Sequence, residues 1–440
     1  MIKVCKFGGS SLADAKQFAK VKAIVDSDNT RRIVVVSAPG RRSHDDNKIT
    51  DLLYLCQAHL KYGVSYDGVF GMVEERFRTI AQECGVSYDI EAELTDIRKH
   101  MNKDVSIDYL ASRGEYLSAR LMAEYLGFTF FDSAQWMHFG YDGKLDVEAT
   151  YAALLEGLQK YGSLVLPGFY GSLPNGDIHV MSRGGSDITG ALAAAAIDAS
   201  VYENWTDVSG ILMADPRIVD NPKPIERITY SELRELSYMG AEVLHEETVF
   251  PVRDKDIPLN IRNTNDPNAP GTLIKESFED ESEQERNRFI TGISGRKDFS
   301  IIAIYKSQMA GESGVIRRVL EIFERYGVGI EHIPSGIDSF SVVVSTAQVK
   351  RRLYDIIEEI RKSLNPDDIR VTDNISLIAA VGRKMALRPG MSGKLFATLG
   401  SNDINIRMIA QGPEEINIIV GVENHDFEKT IRVLYDSFMR

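Results

Sequence analysis

From Met1 to about Ile274 the apolar residues of this chain follow two alternating patterns. Short unbroken runs such as Ile33-Val34-Val35-Val36 and Leu164-Val165-Leu166 are what strands buried on both faces require. Between them, stretches such as Leu12 to Lys22, Ile107 to Leu126 and Asp187 to Ile197 read as helices. Strands alternating with helices predict an α/β domain with a mostly parallel sheet. The alternation ends at Lys275-Glu-Ser-Phe-Glu-Asp-Glu-Ser-Glu-Gln-Glu-Arg-Asn287, which is dense in charge and reads as a solvated linker or an exposed helix.

Beyond that run the pattern repeats itself. Met309-Ala310-x-x-x-Gly314 recurs as Met385-Ala386-x-x-x-Gly390, and the same offset of 76 aligns Val328 with Ile404, Ile330 with Ile406, Ile333 with Ile409 and Phe340 with Ile416. Each copy reads strand, loop, helix, strand, strand, helix; in the first these are Ser300 to Tyr305, Gly314 to Tyr326, Ile330 to Ile333, Phe340 to Ser345 and Val349 to Ser363. Matched apolar positions at one offset indicate two copies of one unit. The Met and Ile matches fit core packing, while a glycine opening a helix leaves backbone N–H groups free for a ligand.

Composition narrows the class. A chain of 440 residues suggests two to four domains. A net charge of -13 argues against a nucleic-acid partner, and the most apolar short run, Ala191 to Ile197, is far too short for a bilayer. Cys5, Cys56 and Cys84 are widely spaced, with no secretory leader ahead of them, so reduced thiols in a cytoplasmic protein are expected.

The first candidate chemistry lies at the start. Met1-Ile-Lys-Val-Cys is an apolar strand running into Lys6-Phe7-Gly8-Gly9-Ser10-Ser11, and paired glycines before a helix let the backbone close on an anion. Its spacing matches neither the P-loop nor the dinucleotide fingerprint. A second glycine turn, Arg183-Gly184-Gly185-Ser186-Asp187, opens an Ala-rich helix with Ser186 or Asp187 at its cap, and an arginine there can grip a carboxylate at two points.

With Ser112-Arg113-Gly114-Glu115 and Trp205-Thr206-Asp207-Val208-x-Gly210 added, these four motifs match the monofunctional aspartokinases in order and spacing, and the tail resembles their paired ACT domains. The resemblance covers essentially the whole chain. It implies a three-layer α/β/α amino-acid-kinase fold at 1–278, a linker at 279–298, and two ferredoxin-like ACT (βαββαβ) units at 299–370 and 371–440. The segment after Phe427 is a candidate to complete the first unit's sheet.

The implied reaction converts L-aspartate and ATP, with Mg2+ carried by ATP, to 4-phospho-L-aspartate, the first step toward lysine, threonine and methionine. Lys6 and Asp187 would be the catalytic groups, with Gly8, Gly9 and Ser10 at the phosphates. Thr206, Asp207, Leu212, Asp215 and Arg217 would hold the nucleotide, and Asp215-Pro216-Arg217 also reads as a turn. Ser37, Thr50, Glu115, Arg183 and Ser186 would bind aspartate. Pro39 to Asn47 is expected as a lid or loop with His44 in solvent. Met309, Gly314, Glu331, Ser335 and Asp338 would form a feedback site for lysine or threonine in a cytoplasmic homodimer or homotetramer, without membrane or nucleic-acid contacts; Asp338 fits a turn equally well.

One position departs from the family. Many aspartokinases have lysine in a Gly-Ala-Lys-Val-Leu-His segment near the nucleotide, whereas this chain has Gly240-Ala241-Glu242-Val243-Leu244-His245. Arg253 or Lys255 is a candidate for the missing charge. The same departure keeps open a catalytically silent amino-acid sensor. Kinases for glutamate, N-acetylglutamate, carbamate or UMP share the glycine cradle but fit the paired ACT units poorly, and at 440 residues no fused homoserine dehydrogenase is expected.

Overall fold

The computed structural model describes every residue except 182–183, 242–243, 245–247, 280–288, 386–388 and 440. It divides into two compact units: Met1–Ile211 with Pro224–Tyr230 and Val243–Phe278, and Leu212–Lys223 with Ser231–Glu242 and Glu279–Arg440. The expected boundary at 278 is therefore interrupted twice, because 212–223 and 231–242 pack with the second unit.

The first unit is built on an eight-stranded sheet. Its order is β3 (Thr129–Phe130), β4 (Leu164–Pro167), β2 (Arg31–Val36), β1 (Lys3–Phe7), β7 (Val201–Thr206), β9 (Leu259–Asn263), β10 (Thr272–Lys275) and β8 (Arg227–Thr229). Every neighbouring pair is parallel except β9 with β10. A small hairpin of β5 (Tyr170–Ser172) and β6 (Ile178–Val180) stands apart from it. Because successive side chains point to opposite faces of a strand, β1 serves two layers. Cys5 and Phe7 join the core of α1 (Ala15–Asp26), α2 (Ile49–Lys61), α3 (Asp67–Cys84), α4 (Ile90–His100) and α5 (Ile107–Leu126). Lys6 turns the other way, toward α7 (Gly185–Ala196), which packs beside α6 (Val147–Tyr161). This is the expected three-layer arrangement with its mostly parallel sheet.

Beneath the strands lies a buried charge network that the site does not use. Arg31 donates to Glu203 through Nε at 2.8 Å and Nη2 at 3.2 Å, and Glu203 also accepts from the Trp205 indole at 3.0 Å. Desolvating such ions is costly, and removing one partner strands the other. Arg31→Ala is expected to destabilise the first unit by about 3 kcal/mol, read as a shift in its urea midpoint; a change below ~0.5 kcal/mol would mean the pair is dispensable.

The second unit carries one six-stranded antiparallel sheet ordered β12 (Ile330–His332), β13 (Ser339–Ser345), β11 (Gly292–Tyr305), β14 (Asp368–Val381), β16 (Asn417–Glu423) and β15 (Met408–Ala410). The repeat is visible in three dimensions: α9 (Val315–Arg325) and α11 (Met391–Gly400) start 76 residues apart, as do the left-handed residues Asp298 and Asn374 that interrupt the long strands. Longer helices elsewhere among its described residues are α8 (Tyr230–Tyr238), α10 (Leu353–Leu364) and α12 (Phe427–Met439).

Two expectations are corrected by these strands. Residues 292–298 are the first half of β11 and no linker, because Gly292–Arg296 pairs with Leu377–Val381. The segment after Phe427 is helix α12, whose Phe427, Ile431, Leu434 and Tyr435 are buried; an amphipathic helix cannot extend a sheet. The strand that completes a repeat comes instead from the front: 292–297 closes the second ACT unit, whereas the end of the first unit runs on as β14 into the second.

Candidate active site

The strand ends of β1 and β2 form the floor of the candidate site. After Phe7 the chain enters a short 3-10 turn, Gly9–Leu12, while β2 leads through Ser37 to Gly40. These two segments are pressed together: Ser37 N–H donates to the Phe7 carbonyl at 3.2 Å, and Gly40 N–H to the Gly9 carbonyl at 2.7 Å. A Cβ on Gly9 would lie 2.9 Å from the Ala38 oxygen, and one on Gly40 would lie 2.7 Å from the Gly9 carbonyl carbon. Only glycine fits either place.

Lys6, 7% exposed, reaches across to Asp187 in the first turn of α7, Nζ to Oδ1 at 2.6 Å. The same oxygen accepts from Asn204 Nδ2 at 2.9 Å, and the Tyr202 hydroxyl donates to the Asp187 carbonyl at 3.0 Å. Asn204 is a neighbour of Lys6 in the sheet, since β1 and β7 pair Lys6 with Asn204. Sequence reasoning missed it. Nothing in the strand Val201-Tyr-Glu-Asn-Trp-Thr206 marks it out from its polar neighbour Glu203. Ser186, beside Asp187, is buried against Gly168.

Glu115 approaches the same floor from α5. Gly114 lets the helix seat closely, because a Cβ there would lie 2.7 Å from the Ala38 Cβ. Glu115 is 5% exposed, and its Oε2 has no hydrogen-bond partner. Burial pushes its pKa up to about 8 against the opposing backbone N–H groups of Ala38 and Glu115 itself. A lone buried carboxyl of this kind is poised for a cation. Thr50, half-buried, is the second residue of α2, whose Ile49 N–H donates to the Pro39 carbonyl at 3.1 Å. The intervening loop is tied down, with Asp46 held by Arg42 at 2.9 Å and Arg76 at 2.6 Å; His44 is in solvent.

Thus Lys6, Gly8, Gly9, Ser10, Ser37, Thr50, Glu115, Ser186, Asp187, Thr206 and Asp207 all belong to the first unit. Thr206 and Asp207 follow directly at the end of β7 and bond each other at 3.1 Å. Leu212, Asp215 and Arg217 belong to the second unit, where Arg217 donates to Asp215 at 2.7 Å across the expected turn. Arg183 and Glu242 lie outside the described residues. Arg253 and Lys255 are poor substitutes for the family lysine. Arg253 holds Glu276 at 3.2 Å, and Lys255 holds Asp198 at 2.7 Å, past the C-terminal end of α7, whose first turn carries Asp187.

In the second unit the candidate regulatory residues are mostly engaged. Met309 is buried in the core with Val315 and Phe340, and Gly314 caps the N-terminus of α9. Asp338 Oδ1 accepts from Gln308 N–H at 2.9 Å, and Glu331 accepts from the Tyr238 hydroxyl at 2.6 Å. Ser335 forms an isolated bridge with Phe340. Among the described residues no helix is long and apolar enough to cross a membrane, and no group of three His, Cys, Asp or Glu side chains could hold a metal ion.

The profile of the amino acid kinase family matches residues 1–263, and that of an ACT domain matches residues 378–438. Aspartokinase 3 of Bacillus subtilis (strain 168) is 34% identical over 452 residues, covering 99% of this chain and 98% of that protein. The crystal structure of Clostridium acetobutylicum aspartate kinase matches with a TM-score of 0.90 at 49% identity, covering 99% of both chains. E. coli aspartokinase III, solved with aspartate and ADP in its R-state and with lysine and aspartate in its T-state, matches at 27% identity and a TM-score of 0.74 over the whole of both chains.

Proposed function

The chain belongs to the amino acid kinase family as an aspartokinase with allosteric ACT regulation, and we propose that the Lys6–Asp187 pair at its glycine floor is where the phosphoryl group moves. It uses ATP to phosphorylate L-aspartate on the side-chain carboxylate. The observation that carries the site reading is a buried lysine held at 2.6 Å by Asp187 beside two glycine backbones too close for any side chain.

The chemistry needs little from a base. The β-carboxylate of aspartate is already ionised near neutral pH, so its oxygen attacks the γ-phosphorus directly. The new O–P bond forms as the bond to the β-phosphate oxygen breaks, and ADP leaves with the electron pair. What the protein must supply is alignment and positive charge for the oxygens of the transferring group. Lys6 supplies the charge and the Gly9 and Ser10 N–H groups at the start of the turn supply donors, the Ser11 N–H being bonded to the Gly8 carbonyl at 3.0 Å. Asp187, with no proton to accept, orients the Lys6 ammonium. Glu115 receives the substrate ammonium, with Ser37, Thr50 and Ser186 as further substrate contacts, Arg183 for the carboxylate, and Thr206 and Asp207 for the nucleotide. Mg2+ enters on ATP, and Asp187 is a carboxylate donor of the type such sites use.

Feedback is read through the ACT units. The E. coli relative was solved with lysine, and lysine is the proposed effector here, at the loop joining Met309 to Gly314 with Glu331, Ser335 and Asp338. Exposed Ile333, next to edge strand β12, and Ile409, within edge strand β15, favour a homo-oligomer. The deciding experiment is ADP release with ATP-Mg2+ and aspartate or glutamate, with and without lysine, threonine and methionine. Aspartate-dependent release suppressed by lysine is expected. Turnover of glutamate instead would overturn the substrate, and amino-acid binding without any turnover would favour a sensor.

A further inference from the structure

The glycine floor has a support that its motifs do not contain. Arg76 lies on α3 between Glu75 and Phe77, where an arginine would ordinarily face water, yet it is only 4% exposed. Its Nη1 donates to the Gly40 carbonyl at 2.9 Å and to the Ala13 carbonyl at 3.3 Å, and its Nη2 to Asp46 at 2.6 Å. Ala13 ends the turn that begins at Gly9, and Gly40 is the residue whose N–H is bonded to Gly9. One guanidinium thus joins the far end of the phosphate turn, the backbone packed under its near end, and the return of the loop that leads to Thr50. Its Nε has no partner, so the charge is buried with incomplete compensation, a cost that an apolar residue of similar length would avoid.

We propose that Arg76 is a positioning residue for phosphoryl transfer, clamping the Gly9 and Gly40 backbones into the geometry that receives the ATP phosphates. This rests on reading that floor as the phosphate site. Arg76 touches no substrate. Its removal frees Gly40 to move off Gly9, and the Gly9 and Ser10 N–H donors lose their fixed directions. Tight preorganisation is what makes such donors effective, so a loss of alignment weakens phosphate binding and transfer together.

The test is Arg76→Met in the full-length chain, with kcat and KM for ATP from ADP release, ATP affinity from calorimetry, and a thermal melt. At least a tenfold loss of kcat together with at least a fivefold weakening of ATP is expected. A merely structural role would reduce the folded fraction without moving ATP affinity, and that result, or both parameters within twofold of wild type, overturns the proposal. Should Arg76→Met fail to fold, Arg76→Lys decides by the same criteria, since an ammonium keeps the charge beside Asp46 but lacks the planar fork that holds the Gly40 and Ala13 carbonyls together. Absence of aspartate-dependent ADP release from the wild type would instead overturn the aspartate reading, and the calorimetric arm would still judge the clamp.

Discussion

Lys6→Ala is expected to lower kcat by about 100- to 1,000-fold, the loss associated with removing one preorganised group that stabilises transition-state charge. Two features argue for an effect of that size. Lys6 is buried and pinned by Asp187 at 2.6 Å, so its charge acts in a medium with little screening. The cations considered as replacements for the family lysine, Arg253 and Lys255, are already committed to Glu276 and Asp198. Steady-state ADP release, with circular dichroism to show that the variant is folded, is the measurement. More than about a tenth of wild-type kcat would show that another group carries the phosphate charge.

Glu115→Gln should raise the KM for aspartate about 10- to 100-fold with a smaller change in kcat, because a hydrogen bond to a charged group is worth about 1.5 to 3 kcal/mol. The elevated pKa adds a signature in pH. Its value of about 8 in the fold lies above the 4.5 of a free glutamate, so the folded chain holds this proton more tightly than the unfolded chain. The resulting stabilisation is complete below about 4.5 and is lost as pH rises toward 8. Wild type should therefore lose stability relative to Glu115→Gln across that window, by up to a few kcal/mol at ~1.4 kcal/mol per unit. Substrate binding pulls the other way, since an ammonium needs the ionised carboxylate. In the wild type kcat/KM for aspartate should climb as pH approaches 8, and in the variant that limb should vanish. Parallel pH profiles in the two proteins would remove Glu115 from the substrate pocket.

Much of this site could be read from local pattern. An apolar strand ending in Lys6 and paired glycines is open to many readings alone, and it and the buried helix carrying Gly114-Glu115 gained their roles only from the four motifs together. Asn204 and Arg76 were not legible, for a common reason. Each is a polar residue in an ordinary-looking element, and what singles it out is the partner that folding brings to it: Asp187 from 17 positions away and Gly40 from 36. The regulatory half divides in the same way. The 76-residue offset disclosed two units because helix starts and core positions repeat locally. Their topology stayed hidden because Gly292-Ile-Ser-Gly-Arg-Lys297 has weak strand propensity, and pairing with Leu377–Val381 makes it a strand. The clustering of 212–223 with the second unit likewise follows from contacts such as Lys223 N–H to the Tyr435 hydroxyl at 2.8 Å, more than 200 residues apart.

The sharing of β11 and β14 between the two ACT units also sets an order of events at the ribosome. The strand 292–297 emerges first but must wait for 377–381, about 80 residues later. At roughly 5 to 20 residues per second, that leaves about 4 to 16 seconds in which one sheet edge is made but unpaired. During that interval the first unit can assemble its own helices while the second has only a single strand. Slowing translation over 350–380 would prolong the exposure, so slow synonymous codons there are expected to lower the yield of folded enzyme, as measured by expression of recoded messages.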